Sequence, residues 1–409
     1  MSSSNALSLH IPEPRRRPGE APDFSGLSFS GAGEVDRPTV DAPAETMRDM
    51  AFQLIRVLDD QGTARGPWAP DLDPDSRIDG LKAMILTRAF DERMYRAQRQ
   101  GKTSFYMKCT GEEAIACAQA RVLRREDMGF PTYRQQGLLI ARGYPLVDMM
   151  NQIYSNAADP IKGRQLPIMY SSRDYGFFSI SGNLGTQAPQ AVGFAMASAY
   201  SGDDRIASVW IGDGATAEGD FHEALTFASA YRAPVIVNIV NNQWAISSFA
   251  GLAGAQNTTF AARGLGYGLP ALRVDGNDYL AVHAVTAWAA ARARANLGAT
   301  VIEHFTYRAA QHSTSDDPSR YRPGDEAALW PLGDPILRLK THLVVEGLWS
   351  EADHVKAEAE AQEKVREAAR EAEAIGVLGQ SCVSSSTLFE DVFKTPDWRL
   401  KRQRRELGV

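Results

Sequence analysis

Asp213 and Asn242 are the two residues whose types and spacing point most directly to chemistry. Asp213 sits in Gly212-Asp213-Gly214, just after the apolar run 206–211. Asn242 closes Asn241-Asn242, just after the β-branched run 235–240. A carboxylate and an amide carbonyl are both hard oxygen ligands. Together with a diphosphate they can complete the octahedron of Mg²⁺, which needs few protein ligands. Gly212 and Gly214 lack a Cβ and let backbone approach a phosphate. The helix expected just after them points its N-terminus at the anion.

The elements that must position this pair are legible around it. Run, helical stretch and run span about 35 residues, the length of a βαβ unit, which makes the strands parallel. Both residues then fall on the edge of the sheet where ligands of such folds bind. Further units follow. Residues 272–274 end at the turn Asp275-Gly276-Asn277, a helix is expected over 279–295, and a strand over 300–305. The alternation predicts an α/β domain with a doubly wound, mostly parallel sheet flanked by helices.

Upstream, helices are expected over 78–100, from Glu112 onward and over 187–200. Met50, Leu54, Val57 and Leu58 recur at helical spacing and predict a further helix from Glu45. The division is an extended arm over 1–45, the α/β domain over 46–335 and a helical region over 336–409. The arm holds 6 Pro, 4 Gly and 7 Ser. Such composition cannot build its own core, and the expectation is that a second subunit holds it. Residues 351–374, with 8 Ala, 7 Glu and 4 Lys or Arg, read as a solvated helix, started by a capping box at Ser350.

Composition narrows the class. The 409 residues carry 44 basic and 50 acidic side chains, a net charge of −6. That disfavours a protein that coats nucleic acid or an anionic membrane. No run approaches 18 apolar residues, the least a spanning helix needs. Three cysteines without a C-x-x-C fit a reducing compartment, and the cytoplasm is the expectation. GDGATA also matches a dinucleotide fingerprint, but that site wants an acidic residue where Asn241-Asn242 stand. A P-loop fails for lack of Gly-Lys-Ser/Thr. A merely structural tight turn leaves the Asp and Asn on one edge unexplained.

Gly-Asp-Gly, 26 residues and Asn-Asn resemble the thiamine diphosphate signature. AQRQGKTSFYMKCTGEEA (97–114), PTYRQQG (131–137), GTQAPQAVG (185–193), GDGATAEGDFHEAL (212–225) and YRAAQHSTSDDPSRYRPGDE (307–326) resemble the alpha subunit of 2-oxo acid dehydrogenases. Within that group the first and last look like the branched-chain enzyme rather than the pyruvate enzyme. The resemblance spans about residues 45–400.

It implies the following. Asp213 and Asn242 bind Mg²⁺ by side chain and Trp244 by its main-chain carbonyl. Gly212, Gly214 and Ala215 border the diphosphate, and Tyr133 and Arg134 lie near it. Ser181, Gly182 and Leu184 form a loop beneath the cofactor rings, with Leu184 as prop, and Ile246 packs on the rings. His312 is the active-site histidine and also touches the cofactor. Ser181, Thr186 and Gln187 lie where a monovalent cation, K⁺, can sit. Two departures stand out. Val240 replaces an arginine of the animal enzymes, and Gly182-Asn183 replaces a Ser-Pro. Ser313 matches a regulatory phosphorylation position.

The implied activity is oxidative decarboxylation of a branched-chain 2-oxo acid, with the acyl group passed to a lipoyl-bearing acyltransferase core. The alternative is a pyruvate or other 2-oxo acid dehydrogenase. Only the diphosphate half of the site is visible, so the resemblance places the other half, with the activating glutamate, on a beta subunit in an α₂β₂ heterotetramer. The rival classes are a catalytically silent subunit, which the intact Asp213, Asn242 and His312 oppose, and an NAD-dependent dehydrogenase.

Overall fold

The computed structural model describes residues 9–409. In chain order the elements are a 3₁₀ segment Ala44–Ala51, α1 (Pro74–Arg99), α2 (Glu113–Val122), β1 (Met128–Phe130), α3 (Gln136–Ala141), α4 (Leu146–Tyr154), α5 (Gln187–Ser201), β2 (Ala207–Gly212), α6 (Gly219–Ala230) and β3 (Val235–Asn241). A small hairpin of β4 (Trp244–Ala245) and β5 (Ser248–Phe249) follows. Then come α7 (Ala262–Leu265), β6 (Ala271–Asp275), α8 (Tyr279–Arg294), β7 (Thr300–Phe305), α9 (Pro335–Val345), α10 (Glu351–Ile375) and α11 (Trp398–Glu406).

The main sheet has the order β1-β2-β3-β7-β6, and every pair is parallel. Alternation along β3 explains why it is covered on both faces. Ile236 and Val240 join the apolar cluster under α1, α2 and α8, while Val235, Val237 and Ile239 join the cluster under α5 and α6. Asn238 breaks the first row. Its amide donates to Ser208 Oγ at 2.9 Å and accepts from Gln119 Nε2 at 2.6 Å, with His304 Nε2 at 3.0 Å. A paired polar group in an apolar layer disfavours other registers, because any slip leaves it buried without partners.

The expected doubly wound, mostly parallel sheet is present, and the helices expected over 78–100, 187–200 and 279–295 stand within a few residues. α1 begins where Asp73 caps Ser76 N at 2.8 Å with Pro74 in the first turn.

Two expectations are corrected, those for the segment after Glu45 and for α10, and the arm gains anchors that composition did not suggest. The helix from Glu45 stops at Ala51. Leu54, Ile55, Val57 and Leu58 are buried in extended chain, and Ile55 makes a parallel bridge with Val274 beyond β6. Ile55 donates to the Arg273 carbonyl at 2.9 Å and accepts from Asp275 N at 3.0 Å.

The arm, over its described residues, is anchored on its own chain, a contact that the expectation of a second subunit did not include. The indoles of Trp68 and Trp288 donate to the Asp36 and Pro38 carbonyls, and Arg292 donates to those of Val40 and Ala42. Phe24 meets Trp330 edge-on at 5.5 Å. Gly33 and Gly66, both at positive φ, pass so closely that a Cβ on Gly66 would lie 2.2 Å from Gly33 Cα.

α10 is solvated on one side only. Ala357, Ala361, Val365, Ala369 and Ala372 bury a stripe against α1 and α4, so the C-terminal region shares the main core. Its capping box, Ser350 with Asp353, is formed.

No helix among the described residues is long and apolar enough to cross a membrane.

Candidate active site

Four loops leave the C-terminal edge of the sheet side by side. The loop after β1 carries Tyr133 and Arg134, that after β2 carries Asp213, that after β3 carries Asn242, and that after β7 carries Arg308 and His312. Gly212 pairs with Val240 and Asn241 with Phe305, which sets these strand ends level. The loops enclose a cavity of about 540 Å³. Tyr133, Arg134, Gly182, Leu184, Gly212, Asp213, Gly214, Ala215, Asn242, Trp244, Ile246 and His312 all line it. Of the residues expected at the cofactor, Ser181 alone does not; its hydroxyl accepts from Asn183 N at 3.1 Å. The Thr186 hydroxyl donates to the Asn183 carbonyl, and the Gln187 amide donates to the Trp210 carbonyl while its buried oxygen has no partner.

Asp213 is the most demanding group in the cavity. Its Oδ1 accepts from Gly214 N at 2.7 Å, and its buried Oδ2 has no partner. Burial pushes the carboxyl up to about 7, reinforced by the charge of Glu112 and opposed by the Gly214 N–H, the Arg308 guanidinium and the Gln243 N–H. A divalent cation would relieve that cost directly. Gly212 fits the same use. A Cβ there would meet nothing within 4 Å, so the fold does not need glycine, and the space before it belongs to the cavity. At Gly214 a Cβ would lie 2.5 Å from that of Ala245, so here the hairpin itself requires glycine.

Asn242 donates from Nδ2 to Glu112 Oε1 at 2.7 Å, and its Oδ1 accepts from Trp244 N at 3.2 Å. The Trp244 carbonyl, expected to face a metal, accepts from Arg308 Nη1 at 3.0 Å. Arg308 also donates to the Ile246 carbonyl at 2.8 Å and the Tyr321 hydroxyl at 2.7 Å. It thereby holds a strained turn: Gln243 and Ile246 have φ of 74° and 56°, the latter rare for a β-branched residue. Ile246 stands 55% exposed and Leu184 42% exposed beside the cavity.

His312 is tied from three sides. Its backbone N donates to Asp316 Oδ2 at 2.7 Å, and its carbonyl accepts from Arg134 Nη2 at 3.0 Å. Its Nδ1 lies 3.3 Å from Arg134 Nη2 and 3.4 Å from Arg308 Nη1. Guanidinium groups only donate, so Nδ1 accepts and the proton of the neutral ring belongs on Nε2. Burial, then the charges of Arg134 and Arg308, push the ring's pKa down to about 3. Tyr133 meets His312 edge-on at 5.9 Å. Ser313 is buried, and its hydroxyl accepts from Ser315 N.

Neither Glu112 nor Arg308 was among the site residues expected from the sequence. Glu112 precedes α2, lines the cavity, and lies 3.7 Å from Arg134 Nε. A carboxylate and a guanidinium so deeply buried are the signal that finds them, and burial is not written in a motif.

Comparison with known proteins bears on this geometry. The model of the family described as "Dehydrogenase E1 component" matches residues 81–380. That described as "2-oxoisovalerate dehydrogenase E1 alpha subunit N terminal" matches residues 5–45, extending the likeness to the arm. The chain is 60% identical over its full length, and that of the relative, to a Pseudomonas aeruginosa protein named 2-oxoisovalerate dehydrogenase subunit alpha. It is 39% identical to the mitochondrial protein of that name from Mus musculus, over 95% of this chain and 86% of the relative. Another from Dictyostelium discoideum is 39% identical, over 86% of this chain and 79% of the relative. With a parallel sheet that gathers Asp213, Asn242 and His312 at one edge, the chain belongs to the dehydrogenase E1 component family.

Proposed function

We propose that this chain is the alpha subunit of a 2-oxoisovalerate dehydrogenase, and that its cavity holds the diphosphate and Mg²⁺ of thiamine diphosphate. When bound, the cofactor supplies the nucleophilic carbon and the electron sink for decarboxylating a branched-chain 2-oxo acid. The chain's own residues do the rest. Asp213 Oδ2 and Asn242 Oδ1 offer hard oxygens to the metal, and Gly212, Gly214 and Ala215 let backbone approach the phosphates. Arg134 and Tyr133 face the same space. Leu184 and Ile246 present apolar surface to the rings and exclude water. His312 presents the Nε2–H of a neutral ring to the cavity, where it would serve as a hydrogen-bond donor to the reacting groups during acyl transfer to a lipoyl-bearing acyltransferase.

The observation that carries this reading is the buried, unpartnered Oδ2 of Asp213 beside Asn242 at the strand ends. The Trp244 carbonyl is the third metal ligand in the proposal, and it requires Arg308 to shift or share. A K⁺ ion near Ser181, Thr186 and Gln187 belongs to the same proposal, with the free Gln187 oxygen as its best support. A beta subunit closes the site in an α₂β₂ assembly. Leu166 and Leu252, 63% and 54% exposed at the cavity, leave apolar surface for it. A cytoplasmic setting accords with three free cysteines, Cys382 exposed.

The test is decarboxylation of a panel of 2-oxo acids by the chain purified with its beta subunit. The expected result is turnover of 3-methyl-2-oxobutanoate at least tenfold above pyruvate, and none by the isolated chain. Preference for pyruvate would move the assignment to the alternative substrate class. Robust turnover by the isolated chain would overturn the divided site.

A further inference from the structure

Glu112 sits just before α2, with its backbone N donating to the Cys109 carbonyl at 2.8 Å and its own carbonyl accepting from Ile115 N at 3.1 Å. That anchored backbone fixes where the carboxylate points. The carboxylate is 3% exposed and reaches across to the loop after β3. Its Oε1 accepts from Asn242 Nδ2 at 2.7 Å and stands 3.7 Å from Arg134 Nε. Burial of an acid without good partners is costly, so its position has to be accounted for by what it contacts.

The contact has a chemical consequence. The two ends of an amide are nearly the same shape, yet one is an acceptor and the other a donor. Only the oxygen can bind a cation. Asn242 can present either end to the cavity by a half-turn about its last bond. A carboxylate fixed against Nδ2 is the stronger of two contacts that select one end, the other being the Trp244 N–H on Oδ1 at 3.2 Å, because the flipped amide would set oxygen against oxygen in a buried place. We propose that Glu112 is a positioning residue, which holds the Asn242 amide so that Oδ1 rather than Nδ2 faces a divalent cation. The inference rests on the metal role of Asp213 and Asn242 stated above.

The proposal accounts for a second feature. Arg134 has its remaining donors on the Lys108 carbonyl and on His312. Through Arg134, Glu112 therefore also ties the loop after β1 to the loop after β7. One acid links the metal side of the cavity to the histidine side.

The test is a Mg²⁺ titration of thiamine diphosphate binding, by equilibrium dialysis, on the complex with the beta subunit. Glu112→Ala should raise the Mg²⁺ needed for half-saturation at least tenfold, about the worth of one charge-assisted hydrogen bond. Glu112→Gln keeps an acceptor toward Nδ2 and should stay within about threefold of wild type. Asn242→Asp alone should be impaired, since two carboxylates then meet. Glu112→Ala with Asn242→Asp should bind Mg²⁺ better than either single variant, because a carboxylate has no wrong end. Thermal melting shows which variants fold, and Glu112→Gln keeps the question open to decision if Glu112→Ala does not. An equal loss in Glu112→Gln and Glu112→Ala would show that charge acts rather than orientation, and would overturn the proposal. So would Mg²⁺ dependence in Glu112→Ala within twofold of wild type, or a double variant no better than the singles. Asp213→Ala is the control for the reading beneath it: wild-type Mg²⁺ dependence there removes the metal site itself, whereas its loss with an unaffected Glu112→Ala removes only the role of Glu112.

Discussion

The Arg308 guanidinium spans the turn of the hairpin after β3, donating to the Trp244 carbonyl at 3.0 Å and the Ile246 carbonyl at 2.8 Å. A third bond reaches the Tyr321 hydroxyl, which in turn donates to Asp316 Oδ2 at 2.6 Å. The turn that presents Ile246 to the cavity and the loop that carries His312 are thus one hydrogen-bonded unit.

Arg308→Lys should break that unit. An ammonium has no planar fork to reach two carbonyls and a hydroxyl together. With bonds to charged groups worth roughly 1.5–3 kcal/mol, thiamine diphosphate affinity should fall at least tenfold while the chain stays folded. Equilibrium dialysis with a melting curve checks this; unchanged affinity would mean that the turn holds itself.

His312 should remain neutral well into acid. Its pKa lies at about 3 against an ordinary 6.5, because of burial first and then Arg134 and Arg308. Nitrogen-detected NMR of the cofactor-free complex should show no protonation of this ring between pH 7 and 5. A midpoint near 6.5 would show that the two guanidinium groups are elsewhere. Replacing the ring by Ala should lower overall turnover by roughly 10²–10³-fold, the usual worth of one preorganised hydrogen-bond donor, and act more on acyl transfer than on decarboxylation.

His304 predicts an acid limb of stability. It lies on β7, between β3 and β6, and burial pushes its pKa down to about 3 from 6.5. The unfolded chain then binds a proton that the folded chain does not, so stability is present above pH 6.5 and is lost as pH falls toward 3. One such group contributes a slope of about 1.4 kcal/mol per pH unit between those values. Denaturant unfolding at pH 6 and pH 5, compared between wild type and His304→Leu, should show the wild-type slope steeper by that amount. The comparison is of slopes, because the variant also deprives Asn238 of a partner. Equal slopes would contradict a buried neutral His304.

The arm predicts a stability effect in the chain by itself. Deleting residues 1–34 removes Phe24 from Trp330 and Phe29 from Phe305. The melting temperature of the chain without any partner should drop by several degrees, in line with a few kcal/mol lost from a protein of this size. No change would show that these contacts contribute nothing to the chain alone.

The placement of Asp213 and Asn242 on one sheet edge was legible because parallel strands force it, while the other expected residues came from the resemblance. Two runs and the helix between them fix which ends are level, and Asp213 and Asn242 follow from that alone. The segment Leu54–Leu58 was not legible. Its apolar residues recur at helical spacing, yet they are buried on all sides in extended chain, where spacing carries no information about backbone. The arm's anchors on its own chain were not legible for a related reason. Its few aromatic residues and its bare carbonyls are what the body binds, through Trp68, Trp288 and Arg292, and composition counts neither. Glu112 stands beside Glu113 in the same segment, and nothing in their order says that Glu112 turns to Asn242 while Glu113 pairs with Arg88.

The central claim is that the buried carboxylate of Asp213 holds the metal of a thiamine diphosphate half-site. It is tested most directly by Mg²⁺-dependent binding of thiamine diphosphate to the complex, for wild type and for Asp213→Ala. Asp213→Ala should fold, keep its beta subunit and lose Mg²⁺-dependent binding by at least a hundredfold. Wild-type affinity in Asp213→Ala would contradict that claim.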